Sequence, residues 1–458
     1  MYNFRMETIT HPLTFLHLSD IHFKAYSEGE HNDLDSDLRQ QLLIDAENLL
    51  DKIENIDGVL ISGDIAFSGS EKEYEIASDW LKRLCNTIGC EESKVWVVPG
   101  NHDINRRAIQ DSPMLQDLHN SLRLTCRTDI KKLDDKLRGF LRDRNAELLL
   151  SPLREYNSFA LKYECITTAN KLFWDSEDFQ LNAGYRLRIR GANSALISSH
   201  LDNSGDNKLI VGEVQAMIPN EDGVIYIFMC HHPFNWIYEW DNIEDLLINR
   251  SAIQIYGHKH DLRLDLINGK SVRLASGALH PSRNEDSYDP RYNLIRIDIE
   301  STENHHNLLI EVWERQWNKR DRSFQAVYQH ANAGKEYRSF KIPLQPLRSR
   351  AKIKSEKAAT PFIELPLQGE AISEEVIEVQ PKRDLVYQFM SLSYINLISF
   401  ALEHKLLLDT DSNLPEIDLK LEIFNRAEKT LGLYKIWEEL SKLSPHNFGN
   451  DNPFERKN

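Results

Sequence analysis

The feature that most constrains this chain is a juncture that recurs five times in its first 260 residues: a short apolar run halts at Asp, Asn or His. The run 13–18 stops at Ser19-Asp20-Ile21-His22, and 58–61 stops at Ser62-Gly63-Asp64. The run 94–98 is followed by Pro99-Gly100-Asn101-His102-Asp103, 224–229 by Cys230-His231-His232-Pro233, and 252–256 by Gly257-His258-Lys259-His260. Such β-branched runs, with 195–198 as a further one, read as buried strands. Residues 37–53 and 71–88 between the early runs carry apolar residues at helical spacing. Strand, helix and strand in alternation predict a layered α/β domain. In open α/β sheets functional groups gather beyond the carboxyl ends of strands, where these residues fall.

Taken singly, each juncture has a plain structural explanation. Asp64 after Gly63 fits a turn, Asn101 after Pro99-Gly100 fits another, and a lone histidine at a strand end is ordinarily a satisfied buried one. Coincidence defeats that reading, because five loops in order present Asp, Asn or His, with glycine beside three of them. Mixed imidazole and carboxylate donors suit borderline divalent ions such as Mn²⁺, Fe²⁺, Zn²⁺ and Ni²⁺, whereas Mg²⁺ or Ca²⁺ favours oxygen alone. A carboxylate can bridge two such ions about 3.5–4 Å apart, and Asp64 is the candidate bridge. The neighbouring glycines let backbone approach the ions.

The pattern DxH, GD, GNHD, H and GHxH, carried over residues 13–300, resembles that of the calcineurin-like metallophosphoesterase superfamily. The resemblance implies a four-layer αββα sandwich holding two divalent transition-metal ions, Mn²⁺ foremost with Fe, Zn or Ni as alternatives. Asp20, His22, Asp64 and His260 would surround one ion, and Asp64, Asn101, His231 and His258 the other. His102 would be the histidine that binds substrate phosphate and assists the leaving oxygen, with Asp103 orienting it. His231 is chosen over His232 because it follows the apolar strand directly, which leaves His232 behind it or near the substrate. Arg106 could reach a phosphate, although Arg106 and Arg107 also read as a solvated basic pair.

Residues 130–164, charged and leucine-bearing, read as a helical insertion in the position of a lid, and 271–327 alternate as antiparallel strands would. Pro343, Pro346, the basic run 348–357, Pro361, Pro366 and Pro381 have the composition of a linker. The expected division is therefore a phosphoesterase domain over 1–345, a linker over 346–380 and a small all-helical domain over 381–458. In that tail 385–408, 417–433 and 434–443 are helical in period. Its Phe389-Met390-Ser391-Leu392-Ser393, Leu397-Ile398-Ser399-Phe400-Ala401 and Leu431-Gly432-Leu433 resemble the effector-associated, death-domain-like adaptor modules of bacterial conflict systems. That implies a protein partner and a role in antiviral defence.

The formal charge of −16 argues against a broad nucleic-acid footprint, and five cysteines without a CxxC pair suit a reducing compartment. No run of 18 apolar residues and no apolar leader are present, so a cytoplasmic chain without a membrane partner is expected. The motif spacing is most similar to bacterial cyclic-nucleotide phosphodiesterases. It makes a nucleotide or nucleic-acid diester the expected substrate, ahead of a phosphomonoester or phosphoprotein and ahead of a scaffold in which the tail carries the main role.

Overall fold

The computed structural model describes residues 11–26, 35–142, 145–259, 263–275, 277–280, 290–302, 305–327, 335–347, 379–408, 410–411, 414–443 and 452–454. Strand β1 (Leu13–Leu18) is buried along its whole length, as an apolar run needs when both faces of its sheet are covered. Helix α1 (Ser36–Ile53) leads to β2 (Gly58–Ile61), and α2 (Glu71–Ile88) leads to β3 (Val95–Val97), the three strands running parallel. A reciprocal Ser70/Glu73 capping box starts α2 and left-handed Gly89 ends it.

Helices α3 (Arg106–Gln110), α4 (Pro113–Asp129), α5 (Leu133–Arg142), α6 (Asn145–Leu150) and α7 (Arg154–Ala160) follow. The helical stretch thus begins well before residue 130. Asn105 caps α3, while Ser112 caps α4 ahead of a proline in its first turn, a start signal the charged composition further on had obscured.

The second half supplies β4 (Phe173–Asp175), β5 (Phe179–Gln180), β6 (Arg186–Ala192), α8 (Glu213–Ala216), β7 (Val224–Met229), α9 (Trp240–Arg250), β8 (Ile253–Tyr256), β9 (Arg263–Ile267) and β10 (Ser271–Ala275). It then adds β11 (Arg291–Ser301), β12 (His306–Asn318), β13 (Ser323–Ala326) and β14 (Arg338–Pro343). The expected strand at 195–198 is absent. The chain turns there, with the Asn193 side chain accepting from the Ala195 N–H and Ser198 N–H bonding the Ala195 carbonyl. Local bonds of this kind displace a ladder even in a buried apolar run.

One sheet has the order β13-β12-β11-β1-β2-β3, with β14 also on β12; the other has β4-β6-β7-β8-β10-β9, with β5 also on β6. They face each other. Phe15 of β1 packs edge-on against Phe179 of β5 at 5.3 Å, and Trp174 of β4 donates its indole N–H to the Val97 carbonyl of β3 at 3.0 Å. With helices outside, this is the αββα sandwich. Full burial of a ring such as Phe15 stabilises it by roughly 1.5–3 kcal/mol.

The tail folds into α10 (Val379–Met390), α11 (Tyr394–Glu403), α12 (Glu416–Leu431) and α13 (Leu433–Leu443). The single helix expected at 385–408 breaks because Ser393 caps α11, its hydroxyl accepting from the Asn396 N–H. Leu385, Phe389, Leu397, Phe400, Ile423, Phe424, Ile436 and Leu440 form its core, and Leu161, just past α7, is part of the same cluster. Arg383 donates to the Ser93 carbonyl at 2.9 Å, and Asp418 accepts from Asn170 at 3.2 Å. Residues 348–378 of the expected linker lie outside the described residues. Among the described residues no single helix is long and apolar enough to cross a membrane; α10 and α11 reach that mark only together, across a 110° bend.

Candidate metal centre

Strand ends from both sheets converge on one point. The first sheet brings Asp20 and His22 beyond β1, Asp64 beyond β2, and Asn101 and His102 beyond β3. The second brings His231 and His232 beyond β7 and His258 beyond β8. Donor atoms within 4.8 Å of one another form three groups: Asp20, Asp64 and His231; His22, Asp64 and His102; and His231, His232 and His258. Asp64 belongs to two of them, with its Oδ2 3.3 Å from His231 Nε2 and 3.9 Å from His22 Nε2. Asn101 Oδ1 lies 3.2 Å from the Nε2 of both His231 and His232, and 3.0 Å from His258 Nδ1.

The loops reach these positions at a conformational cost. Asp20, His22, Asp64 and His258 all have positive φ, between 52° and 69°. For residues other than glycine this costs on the order of 1–3 kcal/mol each, and it persists only where the surroundings enforce it. The surroundings are backbone bonds between neighbouring loops: Asp20 N–H to Gly63 O and His22 N–H to Asp64 O, both 3.0 Å. His102 N–H donates to Asp64 Oδ1 at 2.7 Å, which leaves Oδ2 facing the imidazoles. Two glycines admit the close packing. A Cβ on Gly100 would lie 2.1 Å from Asp64 Oδ1, and one on Gly63, at φ +96°, would lie 2.6 Å from the His231 ring.

The donor set fits divalent cations on a test of its own chemistry. His231 Nδ1 is 2.8 Å from the Ser62 carbonyl, which can only accept, so Nδ1 carries the proton. In the neutral ring Nε2 then turns a lone pair toward two oxygens, those of Asp64 and Asn101. Such an arrangement is stable only with a positive charge among them, either a proton or a metal ion. The charge distribution agrees. Burial works against a charged His231, yet the Asp64 carboxylate raises it to about 9. Asp64, despite burial, is held well below the usual carboxylate range by His231, His22 and His102. His232 is pushed well below the ordinary imidazole value by burial and by His258 and His231, so it stays neutral and able to ligate.

Two expectations are revised here. Asp103 does not orient His102. The His102 ring donates from Nδ1 to the Phe67 carbonyl at 2.7 Å. Buried Asp103 instead gathers the N–H groups of Ile65, Ala66 and Gly100 and the Tyr74 hydroxyl, tying the loops after β2 and β3 together. Burial and nearby Asp64 raise its carboxyl to about 7. His232, expected behind His231, faces Asn101 as squarely as His231 does. His232 is anchored through Nδ1 on Ser194 Oγ at 2.9 Å.

Arg106 is half-buried and donates to the Asn101 carbonyl at 3.1 Å, whereas Arg107 is exposed. His260 lies outside the described residues. Sequence reasoning missed Phe67 and Trp236, whose rings line the cluster; the only signals were an aromatic residue three positions after Asp64 and another four after His232.

The family model for calcineurin-like phosphoesterases matches residues 13–262, over half of the chain, and the chain belongs to that family. The matched residues carry every described member of the donor cluster, from Asp20 to His258. A curated relative, an uncharacterized metallophosphoesterase-like protein of Bacillus subtilis, is 30% identical over 92 residues, covering 20% of this chain and 18% of that protein's length. Among solved structures, a dimetal phosphatase from Danio rerio is 12% identical over 65% of this chain and 95% of its own, at a TM-score of 0.33. A purple acid phosphatase from yellow lupin (Lupinus luteus) seeds is also 12% identical, over 72% of this chain and 54% of its own, at a TM-score of 0.35.

Proposed function

We propose that the chain is a dimetal phosphodiesterase acting on a nucleotide or nucleic-acid diester, and that its tail docks it to a protein partner. The observation that carries the enzymatic part is the sharing of Asp64 between two donor groups, with His102 beside one of them. Asp20, His22, Asp64 and His260 would hold one divalent ion, and Asp64, Asn101, His231 and His258 the other, with His232 available to the second. When bound, the ions, Mn²⁺ foremost, neutralise the phosphoryl charge and acidify a water. The chain's own groups do the rest. The Phe67 carbonyl fixes the proton of His102 on Nδ1, so that a protonated Nε2 can give its proton to the leaving oxygen and a neutral one can bind the phosphate through water. Asp64 and His231 are buried, so the charges they would hold act in the water-poor setting in which a phosphoryl group gains most from fixed charges.

The net charge of −16 favours a small or single-stranded diester over a duplex wrapped by protein. In the tail, Tyr394, Ile395 and Leu402 of α11 are exposed apolar residues, 54%, 76% and 64% accessible, and would meet the partner. Recruitment of this kind, in the cytoplasm, is consistent with an effector in antiviral defence.

The test is hydrolysis of bis-p-nitrophenyl phosphate against p-nitrophenyl phosphate with added Mn²⁺, with a cyclic nucleotide and single- and double-stranded DNA alongside. Diester cleavage supports the reading. Turnover of the monoester alone replaces it with a phosphomonoesterase, and inactivity with every transition metal favours a scaffold.

A further inference from the structure

Two aromatic rings border the donor cluster, one at each half. Phe67, on the loop after β2, is 45% exposed, and its ring centroid is 5.5 Å from that of His102 and 6.2 Å from that of His22. The ammonium of Lys24 sits 4.5 Å from the same ring. Trp236 belongs to the turn Phe234–Trp236 and is half-buried, its ring 4.2 Å from His258 at 77° and 6.1 Å from His232. That turn is rigidly held. Trp236 N–H donates to the Pro233 carbonyl at 3.0 Å, and the Trp236 carbonyl accepts from Leu209 N–H at 2.7 Å, where the chain forms a bridge between Leu209 and Ile237.

The placement of the rings follows the chemistry of the cluster. A phosphoryl group must lie against the donors, and its leaving oxygen must lie toward His102, the group able to protonate it. The leaving substituent then exits past Phe67, and the substituent that stays on phosphorus points to the other half, past His258 and Trp236. Flat rings stack on aromatic side chains whatever their base identity, and a cation over such a ring strengthens an electrostatic hold on an anionic substrate.

Resting on the diesterase reading, we infer that Trp236 is the stacking platform for the nucleobase of the nucleotide that retains the phosphate, while Phe67 borders the leaving group. The site therefore selects diesters with a nucleoside on the retained side over those with an alkyl group there. Trp236 is a specificity-determining residue.

The test separates binding from turnover. In Mn²⁺-loaded enzyme, 1,N⁶-etheno-AMP stands for the nucleotide product, and stacking quenches its emission. Wild type and Phe67→Leu are expected to quench it, Trp236→Leu to bind it about tenfold more weakly, and Trp236→Phe to restore most of the quenching. In parallel, the ratio of kcat/KM for thymidine 5′-p-nitrophenyl phosphate to that for methyl p-nitrophenyl phosphate, which share a leaving group, is expected to fall about tenfold in Trp236→Leu. Quenching and ratio both unchanged in a folded Trp236→Leu enzyme overturn the inference, as does equal loss of quenching in Trp236→Phe. Absence of diester hydrolysis in the wild type defeats the diesterase reading instead, and etheno-AMP quenching still reports on the platform.

Discussion

The two sheets contribute unlike halves of one centre. Among the described residues the first brings the oxygen donors, from Asp20, Asp64 and Asn101, on loops bent into positive φ at Asp20, His22 and Asp64. The second brings a cluster of imidazoles alone, His231, His232 and His258, at the ends of two adjacent parallel strands. Each half is braced by bonds among its own loops, and the two also orient each other. The Ser62 carbonyl, at the end of β2 in the first sheet, sets the tautomer of His231 in the second, and Asn101 of the first lies within hydrogen-bond distance of all three second-sheet histidines. The centre therefore forms only once the sheets have packed, and metal binding there would be coupled to folding.

The sharpest way to break the comparison is at Asp64, the residue both halves use. Asp64→Ala is expected to lower Mn²⁺-dependent turnover by about a thousandfold or more while circular dichroism shows a folded chain. Retained turnover would falsify its shared role. Next, the equivalence of the adjacent histidines can be tested by counting ions: His231→Ala should lose about one bound metal per chain by elemental analysis. His232→Ala should retain both ions but with affinity lowered roughly 10- to 100-fold, the cost of losing a supporting group. A larger loss in His232→Ala than in His231→Ala would reverse their assignment. Gly100→Ala pushes a Cβ onto Asp64 and should lower metal affinity about tenfold, measured by competition with a chromogenic chelator.

A last contrast, read in stability rather than in metal binding or turnover, is between two buried carboxylates. Asp64 stands among histidines and is held ionised. Glu239, which accepts from Val211 and Gly212 N–H, is raised to about 7 by burial, with Asp134 adding to the rise. A carboxyl whose folded value exceeds its unfolded value stabilises fully below the unfolded value, and that contribution is lost as pH rises through the folded one. Between about pH 4.5 and 7 the metal-free chain should lose on the order of 3 kcal/mol from this group. Glu239→Gln should flatten that slope, read from urea midpoints at intervals across the window.

The junctures of apolar run and donor residue were legible because both signals are local: the run sets the strand, and the residue after it stands at the strand's end. β1, β2, α2 and β7 fall where the periodicity places them. What the sequence hid is what distant loops do to one another. Nothing near His102 in sequence announces that its partner is the main-chain carbonyl of Phe67 on the adjoining loop, and Asp103, its neighbour in sequence, is consumed by three N–H groups and a tyrosine. The approach of His232 to Asn101 beside His231 depends on Ser194, which immediately precedes the segment misread as a strand. Apolar composition there marked burial correctly and conformation wrongly, since side-chain bonds from Asn193 supplied what a ladder would have.

The seating of the tail bears on how such a protein would be brought to its target. Its core is shared with Leu161, and Arg383 grips the Ser93 carbonyl just before β3, the strand that ends in Asn101 and His102. On the proposed docking, a partner that seized the exposed flank of α11 would take hold of a handle fastened to the blade rather than a leash trailing from it. The mouth of the site would then be presented at a set distance and angle, and reach would be decided by the geometry of docking, not by the length of chain between.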